Sequence, residues 1–225
     1  MSLPGSRVLA ACAVAAGGCV LSWAGAAAGL TPGVLPAPQL KVAKAQADLC
    51  PTDAVTKALG GQRVTLGAES PAVLSHVDSR TCVRLPITRG EFAMDLSAGS
   101  VPADGGITFT DSTGRGVTFT DVTFDFGGRV ATGTATTQGA AAGRASRRQS
   151  DGLFTLDFRL DKTEIDLTRG TAEGAATLGL GQGADAGLKE AFGSDPLAGQ
   201  GAVFDATAGG DVSQAVLALT RALLP

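Results

Sequence analysis

The 225-residue chain has no tyrosine, one tryptophan, one histidine and two methionines, and only 17% of its residues are charged. Each shortage removes a class of function. A single imidazole, His76, cannot build a nitrogen-rich zinc site. Its neighbours Ser75, Asp78 and Ser79 lie too close along the chain to form a nucleophilic triad with it, and no G-x-S-x-G elbow occurs elsewhere. The four cysteines, Cys12, Cys19, Cys50 and Cys82, show no C-x-x-C spacing of the redox or zinc kind. No glycine-rich run follows a strand and opens a helix, so nucleotide phosphates find no cradle. A net charge of −3 and a pI near 5.1 leave out the basic footprint that nucleic acid requires. Aromatic residues make up 4%, too few for the stacking platforms usual in glycan sites.

What is plentiful is glycine, 32 residues, within a chain that is 44% hydrophobic. That profile suits a sheet-rich exported protein. Arg7 is followed by VLAACAVAAGGCVLSWAGAAA, residues 8–28, without a charge and closing on small residues at Ala24–Ala26 or Ala26–Ala28. The segment 1–28 therefore reads as a cleaved export signal. The run is also long enough for an uncleaved membrane anchor, and Leu9–Cys12 spells a lipid-attachment box, so a lipoprotein stays open. Cleavage leaves Cys50 and Cys82 alone in an oxidising compartment, and a Cys50–Cys82 disulfide is expected. Its loop of about thirty residues implies roughly 3–4 kcal/mol of stabilisation.

Residues 29–47 carry three prolines and no sustained period, and read as an extended leader. Residues 48–225 read as one β-rich domain. Thr52 or Asp53 caps a short helix that Gly60 is expected to stop. From Cys82 onward apolar residues alternate: Val83, Leu85 and Ile87; Phe92, Met94 and Leu96; Ile107 and Phe109; Phe154, Leu156, Phe158 and Leu160. Period two, broken by glycine turns with no helices between, predicts short antiparallel strands.

The word TFTD occurs at Thr108–Asp111 and again at Thr118–Asp121. Pairing Phe109 with Val117 puts Ile107 opposite Phe119 and leaves Ser112–Thr113–Gly114 as a three-residue hairpin loop, flanked by Asp111 and Arg115. The apolar phase then slips to Val122, Phe124 and Phe126, which predicts a bulge near Asp121. Thr136–Gly152, holding Arg144, Arg147 and Arg148, reads as a polar loop. Farther on, GADAGLKEAFG predicts a helix closing at Gly193 and AVFDATA a last strand. Asp211, with Gln214 three residues later and Val212, Ala215, Val216, Leu219 and Leu223 on one face, predicts an amphipathic helix over 211–224. The expected architecture is mainly β, an antiparallel sandwich or meander with short flanking helices and this C-terminal helix.

Glu91 and Asp95, four residues apart and so pointing to one side of the same strand, are the best carboxylate pair for glycoside hydrolysis. Asp111, Asp121 and Asp125 flank one hairpin without the loop that would gather them on calcium.

The succession GGITF, VTFTDVTFDF, DGLFTLDF, GADAGLKEAFG and PLAGQGAVFDA resembles a β-rich module of exported actinobacterial proteins, related to the haem-transport-associated (HtaA) domain, over residues 83–208. The resemblance implies a haem-binding or a role-free β-module. Haem-binding members use a tyrosine ligand assisted by histidine. With no tyrosine here, His76, upstream of the matched region, is the one axial candidate. Two functions are thus expected in competition. One is an exported, non-catalytic domain that binds a small ligand or cell-envelope polymer, touching membrane only through its N-terminal segment. The other is a cell-wall hydrolase with a hidden carboxylate pair.

Overall fold

The computed structural model describes residues 37–139 and 145–214. Twelve strands and two helices follow one another: β1 (Gln39–Pro51), α1 (Asp53–Gln62), β2 (Val64–Glu69), β3 (Val73–Val77), β4 (Arg80–Ile87), β5 (Glu91–Ala93), β6 (Gly99–Pro102), β7 (Gly106–Asp111), β8 (Gly116–Asp125), β9 (Val130–Gln138), β10 (Ser146–Asp166), β11 (Thr171–Leu180), α2 (Gln182–Phe192) and β12 (Phe204–Gln214). All pairings are antiparallel.

The expected mainly β, antiparallel architecture forms; of the two arrangements expected, sandwich or meander, it is no sandwich, because the strands close into a barrel. β12 pairs with β11 on one side and with β1 on the other, so the run β1–β12–β11–β10–β9–β8–β6–β5 returns to β1. Eight strands make a ring whose interior is just wide enough to be filled by side chains or to hold one small ligand. At the end opposite β5 and β6 the ring is widened by two additions, β4 and β3 beside β1, and β7 and β2 beside β8.

The hairpin read from the repeat forms as expected: Phe109 faces Val117, Ile107 faces Phe119, and Gly114 takes a φ of +82° in the loop. Asp111 accepts from Thr113 and Arg115, which holds its carboxyl well below the usual range. The bulge falls between Thr120 and Thr123, with Asp121 at φ +55°. Thr52 caps α1 by accepting from the Val55 N–H, but the helix runs through Gly60 and Gly61 and ends at Arg63, in the left-handed region.

Three expectations need correction. Gln39–Ala47 of the supposed leader lie in β1, because Leu40 and Val42 are buried and the segment pairs with β12 from Leu40 onward, with one bulge between Val42 and Lys44. Ser146–Gly152 of the supposed loop belong to β10, where Ser146–Ser150 pair with β9, and Arg147 and Arg148 reach Asp121 and Glu190; Arg144 lies outside the described residues. Asp211–Gln214 do not start a helix but continue β12, since Asp211 is opposite Lys44 on one side and Thr171 on the other. The remainder of the expected C-terminal helix, 215–224, lies outside the described residues, as does the expected export signal.

Cys50 and Cys82 are joined, and both are buried. Beside them, on the outer side of β1 and β4, Asp48 takes both nitrogens of a bidentate Arg84 at 2.9 Å and the Ser75 hydroxyl at 2.8 Å. Burial raises the Asp48 pKa, but the Arg84 and Ser75 hydrogen bonds and the Arg84 charge outweigh it, and the net shift is downward from 3.8. A lowered folded-state pKa contributes stability above the unfolded value that is lost as pH falls through the folded one. Asp48→Asn is therefore expected to cost about 1–2 kcal/mol at neutral pH, the smaller range because Arg84 remains a third exposed. Urea unfolding should show this gap closing as the pH is lowered below about 4.

Candidate functional site

The barrel is packed solid at one end and hollow at the other. In the solid end Phe109, Phe119, Phe154 and Phe204 meet largely edge to face, with the Phe119–Phe154 and Phe154–Phe204 centroids each 5.8 Å apart. Leu178 and the α2 residues Ala184, Leu188 and Ala191 complete this floor. Helix α2 sits close because Gly187 has no side chain: a Cβ there would meet Val117, Ala135 and the Phe119 ring at 3.3–3.4 Å.

Above the floor, the inward positions of three adjacent strands carry small residues. Ala176 of β11 pairs with Ala206 of β12; Gly174 pairs with Ala208, and Ala208 with Ala47 of β1; Ala172 pairs with Gly210, and Gly210 with Ala45. Large branched residues at these positions would fill the ring. Alanine and glycine leave it open, and a half-open cavity of about 150 Å³ results. Its opposite wall is aromatic. Phe92, Phe126 and Phe158, from β5, the β8–β9 turn and β10, stack in sequence with centroids 5.4 and 5.1 Å apart and planes within 15° and 5°.

The stack crosses a seam. β10 pairs with β9 only as far as Thr155, after which the Leu156 N–H reaches Arg129 O and the strand runs on past the start of β9. Phe126 and Phe158 bridge the gap so left. The mouth opens at this end, among the β5–β6, β8–β9 and β10–β11 turns. Apart from Thr163 and Glu173 at the rim, the cavity's lining side chains are apolar. Such a lining favours apolar guests.

The residues singled out by sequence do not converge here. His76 is exposed on β3, the edge strand, and is not among the cavity's lining residues. Ser75 beside it is buried and committed to Asp48, and Asp78 and Ser79 make the β3–β4 turn at positive φ. Glu91 and Asp95 are exposed outside the cavity; the Ser97 hydroxyl and N–H bind Asp95 and lower its pKa, the opposite of what a general acid needs. Asp111, Asp121 and Asp125 stay apart: Asp111 is taken up by Arg115, Asp121 faces Arg147, and Asp125 caps the Gly128 N–H. Among the described residues no group of three His, Cys, Asp or Glu side chains is placed to hold a metal. Sequence reasoning missed the cavity itself. Its signal was there as small residues at period two, Ala172, Gly174 and Ala176, then Ala206, Ala208 and Gly210.

The fold has a counterpart among solved structures. The barrel is similar in fold to the C-terminal domain of HtaA from Corynebacterium glutamicum. The two superpose with a TM-score of 0.57 at 15% sequence identity, over 77% of this chain and 99% of the HtaA domain. The haem-binding protein HtaB of the same organism aligns at a TM-score of 0.47 and 14% identity, over 78% of this chain and 96% of HtaB. The N-terminal domain of HtaA aligns at 0.46 and 15% identity, over 76% of this chain and 97% of that domain. No protein-family model and no curated protein matches the chain. The likeness to HtaA read from strand rhythm thus has its counterpart in the fold.

The fit of haem to the cavity fails on one point. No histidine, tyrosine, cysteine or methionine lines it, so iron placed there has no axial ligand of the usual kinds.

Proposed function

We propose that this domain binds an uncharged, iron-free apolar molecule, or the hydrocarbon part of a larger one, inside the barrel and does not transform it. The open cavity walled by alanine and glycine on one side and stacked phenylalanines on the other carries this reading. The enclosed size fits a six-membered ring or a short stretch of alkyl chain, with the rest of the ligand leaving through the mouth. Of the described side chains that line the space only Thr163 and Glu173, both at the rim, are polar. Residues 1–28 belong to the reading as an export signal or anchor, which places the domain outside the cytoplasm or in the cell envelope. A neutral fluorescent probe such as N-phenyl-1-naphthylamine, titrated into the protein, should show saturable one-site binding. Absence of saturable binding by probes of this class would count against the proposal.

The haem reading is supported by the shared HtaA-type fold, and it moves the iron outside the cavity to His76. Hemin titration separates the two readings. Under the haem reading a Soret band appears that His76→Ala abolishes; under the cavity reading the spectra of the two proteins coincide. A hydrolase built on Glu91 and Asp95 would lose turnover of cell-wall glycan in Glu91→Gln, whereas the cavity reading predicts no turnover in either protein.

A further inference from the structure

We propose that the open end of the barrel docks on a lipid bilayer, from which the cavity draws its hydrocarbon ligand. The inference rests on the apolar-ligand reading above and adds the surface that delivers the ligand. Four large apolar residues are strongly exposed among the described residues, and two of them, Leu160 at 66% and Leu167 at 42%, lie on the β10–β11 hairpin at the mouth. Leu160 stands in the bulge that separates Arg159 from Glu164 in the β10–β11 ladder, level with Gly174 of the cavity wall. Leu167 opens the hairpin turn itself, next to Gly170, whose carbonyl accepts from the Val212 N–H at the rim.

Both ends of the described chain leave from the same rim, because Leu40 near the start of β1 pairs with Gln214 at the end of β12. The sequence beyond each end is apolar. Residues 8–28 carry no charge, and residues 215–225, AVLALTRALLP, carry only Arg221. Two features of the described residues therefore meet at one end of the barrel, the cavity mouth and the two exposed leucines, and from that rim the chain continues into apolar sequence. Between Arg159 and Glu173 the hairpin carries three cations, Arg159, Lys162 and Arg169, against four anions, Asp161, Glu164, Asp166 and Glu173. A hairpin without excess positive charge gives no attraction to anionic headgroups, so insertion of apolar side chains into the interface is the driving contact.

The test uses the full chain and its Leu160→Ser/Leu167→Ser variant, with two measurements on each. The first is transfer of a fluorescent acyl chain from phosphatidylcholine vesicles to protein; the second is uptake of N-phenyl-1-naphthylamine from solution. All proteins keep residues 1–36 and 215–225, so any difference belongs to the two leucines. Transfer should slow at least tenfold in the double variant while uptake from solution is unchanged, and both vesicles of pure phosphatidylcholine and vesicles with added phosphatidylglycerol should serve. Transfer at the wild-type rate by the double variant overturns the docking proposal. A wild-type protein that floats with vesicles through these leucines but takes up no probe would instead sink the apolar-ligand reading and leave docking standing.

Discussion

Replacing Ala206 by phenylalanine abolishes binding of a neutral apolar probe while the barrel stays folded. Ala206 sits on the middle strand of the small-residue wall, in the row nearest the floor, with Ala176 beside it on β11 and Leu49 beside it on β1. Its methyl faces the cavity, and the added phenyl ring matches the size of guest the space of about 150 Å³ can hold. At about 0.8 kcal/mol per buried methylene, excluding a ligand segment of four methylenes removes about 3 kcal/mol, more than a hundredfold in affinity. Stability should change little, because filling a void offsets much of the usual overpacking cost of about 1–3 kcal/mol. Probe titration and thermal unfolding of one preparation check both halves. Ala176→Leu, on the neighbouring strand, should weaken binding in the same direction by a smaller factor. If Ala206→Phe bound the probe as the wild type does, the ligand would have to sit elsewhere.

The second large effect falls on stability and leaves the cavity intact. Removing the disulfide as Cys50→Ala/Cys82→Ala frees a loop with a sequence separation of 32, which chain entropy values at roughly 3.5 kcal/mol. For a domain of this size the loss corresponds to a fall in melting temperature of about 10 °C. The bridge joins β1 to β4, the strand that begins the flap carrying β3, and the Asp48–Arg84–Ser75 cluster lies on the same outer surface. Loss of the crosslink should therefore loosen this flap first, with amide exchange rising in β3 and β4 ahead of β10 and β11. Probe affinity at 15 °C should remain that of the wild type, since neither cysteine lines the cavity.

Local geometry was legible in the residues wherever a short-range rule decided it. Parity fixed the Phe109–Val117 register, Gly114 marked the loop, the slip from Phe119 to Val122 marked the bulge, and Gly193 marked the end of α2. Closure of the barrel was not legible, because it depends on β1 pairing with β12 from the far end of the chain, and neither strand alone states its partner. The C-terminal error has the same origin. Asp211 and Gln214 satisfy a helix-capping rule, while Ala206, Ala208, Gly210 and Val212 satisfy a strand rule, and the two flanking ladders decide for the strand. In the same way Leu40 and Val42 alternate in only a short stretch next to three prolines, and their strand becomes evident only when β5 and β12 supply partners.

The cavity escaped for a related reason. Alanine and glycine at alternate positions are poor strand formers taken singly, so they carry no sign of an inward face until the ring has closed. The titratable groups most conspicuous in the sequence, His76, Glu91 and Asp95, stand outside the cavity. Where the function is to hold an apolar guest, the informative positions are the ones with the least chemistry.

The central claim is that the barrel encloses a dry, accessible space between the Phe126–Phe158 stack and the Ala176–Ala206 wall. A crystal pressurised with xenon tests it directly, since xenon enters apolar voids without needing a polar partner. The account predicts a xenon peak bounded by these four residues in the wild type and none in Ala206→Phe. Ordered waters held there by hydrogen bonds, or side chains collapsed into the space with no xenon bound, would contradict it.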